Sequence, residues 1–264
     1  EYDSDYLHKS LADSKFDSVN IYDCTSQWGV FSIAGPNSRS FLKKIVVSED
    51  PDKTLSNKEF PWLSYRDIEI GMCPVRALRV AYTGELGWEL HHPIEMQNYL
   101  LDILLSSGKE FNLKLVGARA QNWLRQEKSY KAFGSDLGRD AGPFESNLSR
   151  FVDINKNFLG KDALLKRKTE VSCVTLLIDG PKDIDPWGRE ALYNETEEVM
   201  LGRLTSAGYS VHFKRSIGIG YVKSSFSEVG TKLRIKIDDA FWNAEIVRDS
   251  PYDPQNERII DRAQ

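Results

Sequence analysis

Two carboxylates lie among aromatic and imidazole side chains in the stretch AYTGELGWELHH, residues 81–92. Glu85 and Glu89 are four residues apart, so in a continuous strand both side chains lie on the same face. Carboxylates beside Tyr82 and Trp88 could accept hydrogen bonds from the amide-like N–H groups of a flat heterocycle, with an aromatic ring stacked against it. From these residues alone, an ordinary solvated hairpin is the simpler interpretation.

A second concentration of charged residues, GARAQNWLRQEKSYKAFGSDLGRDAGPFE, spans residues 117–145. It predicts a helix followed by a turn-rich loop, and apolar side chains recur on one side of that helix: Val116, Ala120, Trp123, Leu124 and Tyr130. Glu127 falls within that apolar stripe, so its carboxylate needs a partner or a place at the edge of the helix. The alternative is an exposed helix stabilised by charge pairs, such as Glu127 with Lys131.

A third stretch, LTSAGYSVHFKRSIGIGYV at residues 204–222, is glycine-rich and lies between two predicted strands. Because this region is predicted to be all-β, the stretch does not fit the strand–glycine loop–helix unit that binds dinucleotides. The sequence also has no GxSxG motif, and its four histidines show neither HExxH nor HxH spacing. His91 and His92 are adjacent and would point to opposite faces of a strand, so we expect no metal site.

The charge balance excludes several classes of protein. Thirty-five Lys and Arg against 39 Asp and Glu leave a net charge of −4 over 264 residues, and no polybasic block occurs. No apolar run approaches the ~20 residues of a membrane-spanning helix, so we expect neither nucleic acid nor a membrane as partner. Three widely spaced cysteines predict reduced thiols in a protein of cytoplasmic type. Because the chain does not begin with Met and has no signal-peptide pattern, we expect a piece of a longer protein.

Helical and strand patterns alternate in the first part of the chain. Helices are predicted over 4–15, around Phe41 and Leu42, from Pro93 through Leu104, from Gly117 to Tyr130, and in a short segment ending near Lys168. Strands are predicted over 19–23, 29–34, 66–70, 75–82 and 88–92, with a polar surface connection over 46–58. Six short strands follow, over 171–178, 190–193, 199–206, 216–222, 232–237 and 241–247. The sequence therefore predicts an α+β domain over residues 1–168 and a small all-β barrel or sandwich over 169–264.

Taken together, these stretches resemble the glycine-cleavage T-protein (aminomethyltransferase) family. The similarity is greatest to the folate-binding C-terminal region of dimethylglycine and sarcosine dehydrogenases and oxidases. The matching motifs follow the family's order over nearly the whole chain: GPNSRSFL (35–42), SNKEFPWLS (56–64), LRVAYTGELGWEL (78–90), GARAQNWLRQEKSYKAFGSDL (117–137), NFLGKDALL (157–165), DPWGREALY (185–193), TSAGYSVHFKRSIGIGYV (205–222) and SPYDP (250–254).

The resemblance implies a partial T-protein-like folate-binding domain, without its N-terminal segment, followed by the family's C-terminal barrel. It also implies an enzyme that holds tetrahydrofolate in a central cavity. That enzyme would capture a methylene unit from an N-methylated amine or formaldehyde as 5,10-methylenetetrahydrofolate. FAD is implied only where an upstream or partner domain is present. The expected partners are folate, a methylated amine and an N-terminal catalytic domain or segment of the same protein, in the cytoplasm or in the mitochondrial matrix of a eukaryote.

Four site residues follow from the same resemblance. Glu89 aligns with the family's pterin-binding carboxylate, Tyr82 with the aromatic residue that precedes it, and Arg119 with the folate-facing arginine that opens a helix. A carboxylate can accept a fork of two hydrogen bonds from an aminopyrimidine edge, and an arginine can balance that charge or bind the folate carboxylates. Tyr252 is a weaker candidate. The family's catalytic aspartate lies upstream of this chain, so the catalytic residue is left unknown.

Two alternatives remain open at the level of sequence. One is a non-catalytic relative that keeps the fold for regulation or assembly. The other is a folate-dependent demethylase that uses a different methyl donor, such as a sulfonium or an aryl methyl ether. The loop FGSDLGRDAGPFE lacks the Thr-Pro that relatives often carry before the equivalent Glu, so we expect it to contact a different substrate.

Overall fold

The computed structural model describes residues 2–16, 18–180 and 185–261. Its helices are α1 (Tyr2–Ala12), α2 (Ser38–Ile45), α3 (Pro51–Thr54), α4 (Gln97–Ser107), α5 (Ala118–Glu127), α6 (Lys161–Lys166) and α7 (Glu257–Ile260). Its strands are β1 (Trp28–Ala34), β2 (Tyr65–Ile70), β3 (Cys73–Leu78), β4 (Gly87–Pro93), β5 (Val171–Ile178), β6 (Ala191–Tyr193), β7 (Met200–Ser210), β8 (Arg215–Lys223), β9 (Lys232–Ile237) and β10 (Ala240–Val247). This succession confirms the predicted fold class, an α+β region followed by a small β-barrel. No helix in the described ranges has the length and apolar character needed to cross a bilayer.

The first four strands form one antiparallel sheet in the order β1-β4-β3-β2. Side chains alternate along β4, so Trp88, Leu90 and His92 are buried while Glu89 and His91 point to the other face. The buried face packs on α2 and α4, where Phe41 and Leu42 and the i, i+4 pair Leu100 and Leu104 supply the apolar stripes. The opposite orientation of the two adjacent histidines is therefore confirmed.

The last six strands close into a barrel in the order β10-β5-β8-β7-β6-β9, with every pair antiparallel. Closure of the barrel pairs the strand edges and buries the apolar side chains of these short strands in its interior. The barrel core is aliphatic and includes Leu176, Leu192, Leu204, Ile235 and Ile246.

Three local predictions are wrong. No strand forms over residues 19–23, because none of residues 18–24 is buried and an isolated extended segment has no neighbour to pair with. The strand predicted over 75–82 ends at Leu78, where the Val80 N–H donates to the Leu78 carbonyl at 2.9 Å and turns the chain. The segment 46–58 is more than a surface connection, since it contains α3 and the fully buried Leu55.

The end of the chain returns from the barrel to the first sheet. Two buried arginines, Arg39 and Arg79, lie against the Trp88 indole with their guanidinium carbons 5.4 and 5.7 Å from its centroid. Arg39 pairs with Asp261 at 3.1 Å, and Arg79 donates to the Ile260 carbonyl at 2.7 Å. These contacts fix α7 on the sheet and hold the preceding residues close to the loop between β3 and β4.

Candidate functional site

One face of the first sheet is open to solvent. Strand register places neighbouring side chains in two rows across it, Ser32–Glu89–Leu78–Tyr65 and Val30–His91–Arg76–Asp67. We call these eight residues the open face. None of them is buried, although the opposite face of the same strands forms the core. The open face is therefore free to be covered by a ligand or by further polypeptide.

Glu89 lies at the centre of the open face, between Ser32 on β1 and Leu78 on β3. Its side chain is 35% exposed, and its carboxylate lies 3.2 Å from His91 Nε2, the single side-chain partner that it has among the described residues. A carboxylate has about four acceptor positions, so Glu89 keeps capacity for further hydrogen bonds. The alternation of strand β4 holds it pointing outward, as a ligand-binding carboxylate requires.

Tyr82 lies in the loop between β3 and β4. Its ring is nearly parallel to that of Tyr130, at 16° and 5.9 Å between centroids, and its hydroxyl donates to the Lys131 carbonyl at 3.3 Å. Burial raises the pKa of Tyr82. The phenol is thus a neutral donor that fixes this loop against the segment that follows α5.

Glu85 does not join Glu89, contrary to the prediction from their spacing. Glu85 precedes β4, and its carboxylate accepts a hydrogen bond from the Tyr252 hydroxyl at 2.5 Å and pairs with Arg258 at 3.3 Å. Burial, together with the hydrogen bond to this carboxylate, raises the pKa of Tyr252. The Tyr252 ring also packs edge-on against His212, with centroids 4.7 Å apart. Tyr252 therefore anchors the C-terminal segment on the β3–β4 loop.

Arg119 lies in the first turn of α5, as the sequence predicts, but its charge already has a partner. It forms an ion pair with Asp185 and stacks between two indoles, 5.3 Å from the centroid of Trp123 and 5.0 Å from that of Trp187. Its side chain is 54% exposed. Within the described ranges, no hydrogen bond or ion pair joins any of the four predicted site residues to another.

The last turn of α5 and the loop after it contain a buried polar network that sequence reasoning missed. Arg125 pairs with Asp136 at 2.6 Å, and both side chains are almost fully buried. Arg125 also donates to Ser206 Oγ at 2.7 Å, while the other Asp136 oxygen accepts from Thr205 Oγ1 at 2.6 Å. These residues belong to the motifs LRQEKSYKAFGSDL and TSAGY, which the sequence analysis had singled out. The sequence does not show that the two motifs contact each other. The network binds α5 and its loop to strand β7 of the barrel.

Glu127 and Lys128 continue this contact, and the alternative of a surface pair between Glu127 and Lys131 does not form in the described part of the chain, where Lys131 pairs with Asp249. Glu127 accepts from Ser210 Oγ at 2.5 Å, which gives the carboxylate in the apolar stripe the partner that it needs. The Lys128 ammonium is fully buried and donates to the Asp253 carbonyl at 2.6 Å, and burial lowers its pKa. We call residues 125–136 the seam, because they join the first sheet, the barrel and the C-terminal segment.

Two cavities adjoin these elements. A largely apolar groove of about 650 Å³ runs from the end of β1, past α4, to the start of α5, and includes Thr83 and Glu85. A polar cavity of about 510 Å³ is lined by Gly134, Ser135, Trp187, Gly188, Arg189, Arg203, Leu204 and Thr205, and we call it the arginine pocket. None of the four predicted site residues lines either cavity. Among the described residues, no group of His, Cys, Asp and Glu is arranged to hold a metal ion.

Comparison with known proteins accounts for both parts of this fold. The family model described as "GCVT N-terminal domain" matches residues 1–156, and "Glycine cleavage T-protein C-terminal barrel domain" matches residues 172–253. The chain belongs to the glycine cleavage T-protein family. A solved T-protein, the glycine cleavage system aminomethyltransferase T from Bartonella henselae, has the same fold, with a TM-score of 0.71 at 20% identity over 86% of this chain and 60% of that one.

Curated relatives of this T-protein family member are enzymes, and the chain matches only part of each. It is 37% identical to mouse mitochondrial dimethylglycine dehydrogenase over 88% of its own length but 26% of the relative's. It is 29% identical to the aminomethyltransferase of Caldanaerobacter subterraneus subsp. tengcongensis, over 87% of this chain and 60% of that protein. The chain thus spans about a quarter of the dehydrogenase and about three fifths of the shorter transferase.

Proposed function

We propose that this chain is the tetrahydrofolate-binding region of a one-carbon transferase. In this proposal it captures a methylene unit from an N-methylated amine, or from formaldehyde, as 5,10-methylenetetrahydrofolate. The observation that carries the proposal is the position of Glu89, an outward-pointing carboxylate with spare acceptor capacity at the centre of an uncovered sheet face. Family membership supports the chemical class, and the names of the dehydrogenase and aminomethyltransferase relatives are consistent with a one-carbon transfer.

Glu89 would bind the pterin through the two N–H groups of its aminopyrimidine edge. Such charge-assisted forks fix orientation as well as adding binding energy. His91, 3.2 Å from the carboxylate, would hold Glu89 in place for that contact. Tyr82, kept neutral by burial, would border the bound ring from the β3–β4 loop, and Tyr252 would act indirectly by fixing that loop through Glu85. Arg119 would lie at the outer side of the ligand.

No residue of this chain is assigned the role of catalytic acid or base. We propose that another segment of the same protein supplies the catalytic aspartate and covers the open face. A flavin domain, the source of FAD chemistry in this proposal, would oxidise the N-methyl group before the transfer. The mouse relative is described as mitochondrial, which supports the matrix over the cytoplasm if the organism is a eukaryote.

Calorimetric titration of the protein with tetrahydrofolate tests the proposal. Glu89→Gln removes the charge but keeps the size of the side chain. The amide keeps one acceptor oxygen but replaces the other by an NH2 donor, so one hydrogen bond to a charged group, contributing about 1.5–3 kcal/mol, is lost and binding is expected to weaken by at least tenfold. Glu245→Gln is the matched control, since Glu245 is an exposed carboxylate on barrel strand β10. Equal affinity of Glu89→Gln and the parent would show that the site is misplaced.

A second measurement separates an enzyme from a non-catalytic relative. The protein is mixed with formaldehyde and tetrahydrofolate, and formation of 5,10-methylenetetrahydrofolate is followed against the uncatalysed reaction. Acceleration that is lost in Glu89→Gln supports the transferase. Folate binding without any acceleration, in a protein that also contains the segment covering the open face, would favour the non-catalytic alternative.

A further inference from the structure

The arginine pocket contains two guanidinium groups without partners. Arg189 and Arg203 are both exposed, and within the described ranges neither side chain makes an ion pair or a hydrogen bond. Arg119, by contrast, has its charge paired with that of Asp185. Unpaired positive charge collected in a cavity of about 510 Å³ is suited to an anion.

The two arginines are held by a rigid frame. The turn before β6 makes two backbone hydrogen bonds with Leu204 of β7. The Arg189 N–H donates to the Leu204 carbonyl at 3.0 Å, and the Leu204 N–H donates to the Glu190 carbonyl at 2.9 Å. The Glu190 carboxylate accepts the N–H groups of Trp187 and Gly188 at 2.8 and 2.9 Å. Arg189 and Arg203 therefore flank a fixed point of the barrel and are not tethered to a mobile loop.

The backbone of this turn is also unusual. Arg189 has a φ of +107°, in a region that residues with a side chain rarely adopt, and it follows Gly188 at +93°. A Cβ at Gly188 would lie 2.6 Å from the Thr205 carbonyl oxygen, so only glycine permits this close approach to β7. Strained residues of this kind persist where surrounding structure holds them, and they cluster at ligand-binding sites.

The pocket lies close along the chain to the contact of Tyr82, one residue of the proposed folate site. The Tyr82 hydroxyl contacts the Lys131 carbonyl, and Gly134, which lines the pocket, is three residues further along the chain. Three residues span at most about 11 Å. The exposed indole of Trp187 forms one wall and offers an apolar surface next to the two charges.

We infer that Arg189 and Arg203 bind the carboxylates of the glutamyl end of tetrahydrofolate. This inference rests on the proposed function. It assigns to Arg189 and Arg203 the role of binding the folate carboxylates, which the sequence analysis gave to Arg119. Arg119 is neutralised by Asp185, whereas Arg189 and Arg203 supply positive charge that no side chain in the described ranges balances. The overall charge of −4 makes such a local positive site necessary for a dianionic ligand.

Calorimetry with tetrahydrofolate at low salt tests the inference. Arg189→Gln and Arg203→Gln are each expected to weaken binding about fivefold and the double variant about twentyfold, with smaller losses for the corresponding Lys variants, which keep the charge. Lys236→Gln is the matched control, because it removes one exposed positive charge from the barrel at β9 and should change affinity less than twofold. Tetrahydropterin, which lacks the glutamyl end, should bind the parent and the double variant alike.

Free glutamate at millimolar concentration supplies the carboxylate alone. It should compete with tetrahydrofolate in the parent and not in the double variant. Tetrahydrofolate affinity that is unchanged in the double variant would overturn the inference and leave the folate function standing. Equal weakening of tetrahydropterin would overturn it as well, since the arginines would then act on the whole fold. A parent that binds no tetrahydrofolate at all would overturn both proposals.

Discussion

Removal of the Asp136 carboxylate should destabilise the protein strongly. In Asp136→Ala, the Arg125 guanidinium keeps its contacts with Ser206 Oγ and the Tyr130 carbonyl, each at 2.7 Å, but loses its counter-charge. The side chains of Arg125 and Asp136 are 3% and 0% exposed, so water cannot replace the carboxylate without opening the seam. Breaking a buried ion pair in this way costs about 3–5 kcal/mol. That is a large share of the ~5–15 kcal/mol by which a folded domain is stable.

The double variant Arg125→Met/Asp136→Leu distinguishes this reasoning from a simple loss of packing. It removes both charges together, so the penalty of an unpaired buried charge disappears. What remains includes the loss of an acceptor for the hydroxyls of Thr205 and Ser206 and for the Ala132 N–H, at about 1–3 kcal/mol each at most. The double variant is therefore expected to be more stable than the sum of the two single variants predicts, by at least about 2 kcal/mol.

Urea unfolding gives the measurement. Tryptophan fluorescence and far-UV circular dichroism are followed together, because coincident transitions justify a single unfolding free energy. Asp67→Ala is the matched control: Asp67 pairs with Arg76 at 2.9 Å on the open face, where solvent screens the interaction, and its loss should leave the midpoint unchanged. A cost below about 1 kcal/mol for Asp136→Ala, or strict additivity of the single variants, would refute the argument.

Three further outcomes follow from the structure. A Cβ at Gly208 would lie 2.0 Å from the Trp123 indole, so Gly208→Ala should lower the unfolding free energy by about 1–3 kcal/mol. Gly138→Ala, with open space around the added Cβ, should be nearly neutral in the same urea assay. Burial raises the pKa of Tyr221 from its ordinary value of 10.0 to about 12. Because the folded pKa lies above the unfolded one, stability should fall as the pH rises from about 10 through about 12, and Tyr221→Phe should show a shallower loss in midpoints measured over that range. Arg39→Ala deletes a buried cation that is hydrogen-bonded to Asp261, Leu55 and Asn57, and a decrease of about 2–4 kcal/mol in the free energy of thermal or urea unfolding is expected. A decrease under about 1 kcal/mol would show that these contacts contribute little to the fold.

The barrel could be predicted closely from sequence because its strands carry their own signals. Strand β5 is apolar at nearly every position, and the later strands alternate with turn residues at short intervals. The failure at residues 19–23 shows the limit of such reasoning. A β-pattern predicts a strand only where a neighbouring strand is available, and residues 18–24 have neither a partner nor a buried side chain.

The candidate site could be predicted in part for the same reason. The period of two places Glu89 and His91 on one face of β4, and the structure has them so. The same rule fails for Glu85, since the strand begins at Gly87 and the partner of Glu85 is Tyr252, far away in sequence. A shared face would require a continuous strand through the TGE turn, and the chain bends there instead. A contact between residues so far apart in sequence produces no local hydrophobic periodicity from which it could be predicted.

The seam explains why these motifs act together although they lie far apart in sequence. Tyr82 contacts Tyr130 and Lys131, and Tyr252 donates its N–H to the Glu127 carbonyl at 3.1 Å. The seam is in turn fixed to β7 by Asp136, so the barrel determines where the β3–β4 loop stands. Binding residues held by buried, hydrogen-bonded supports lose little entropy when a ligand arrives. The barrel therefore contributes to the proposed folate site by positioning its walls, even where no barrel residue touches the pterin.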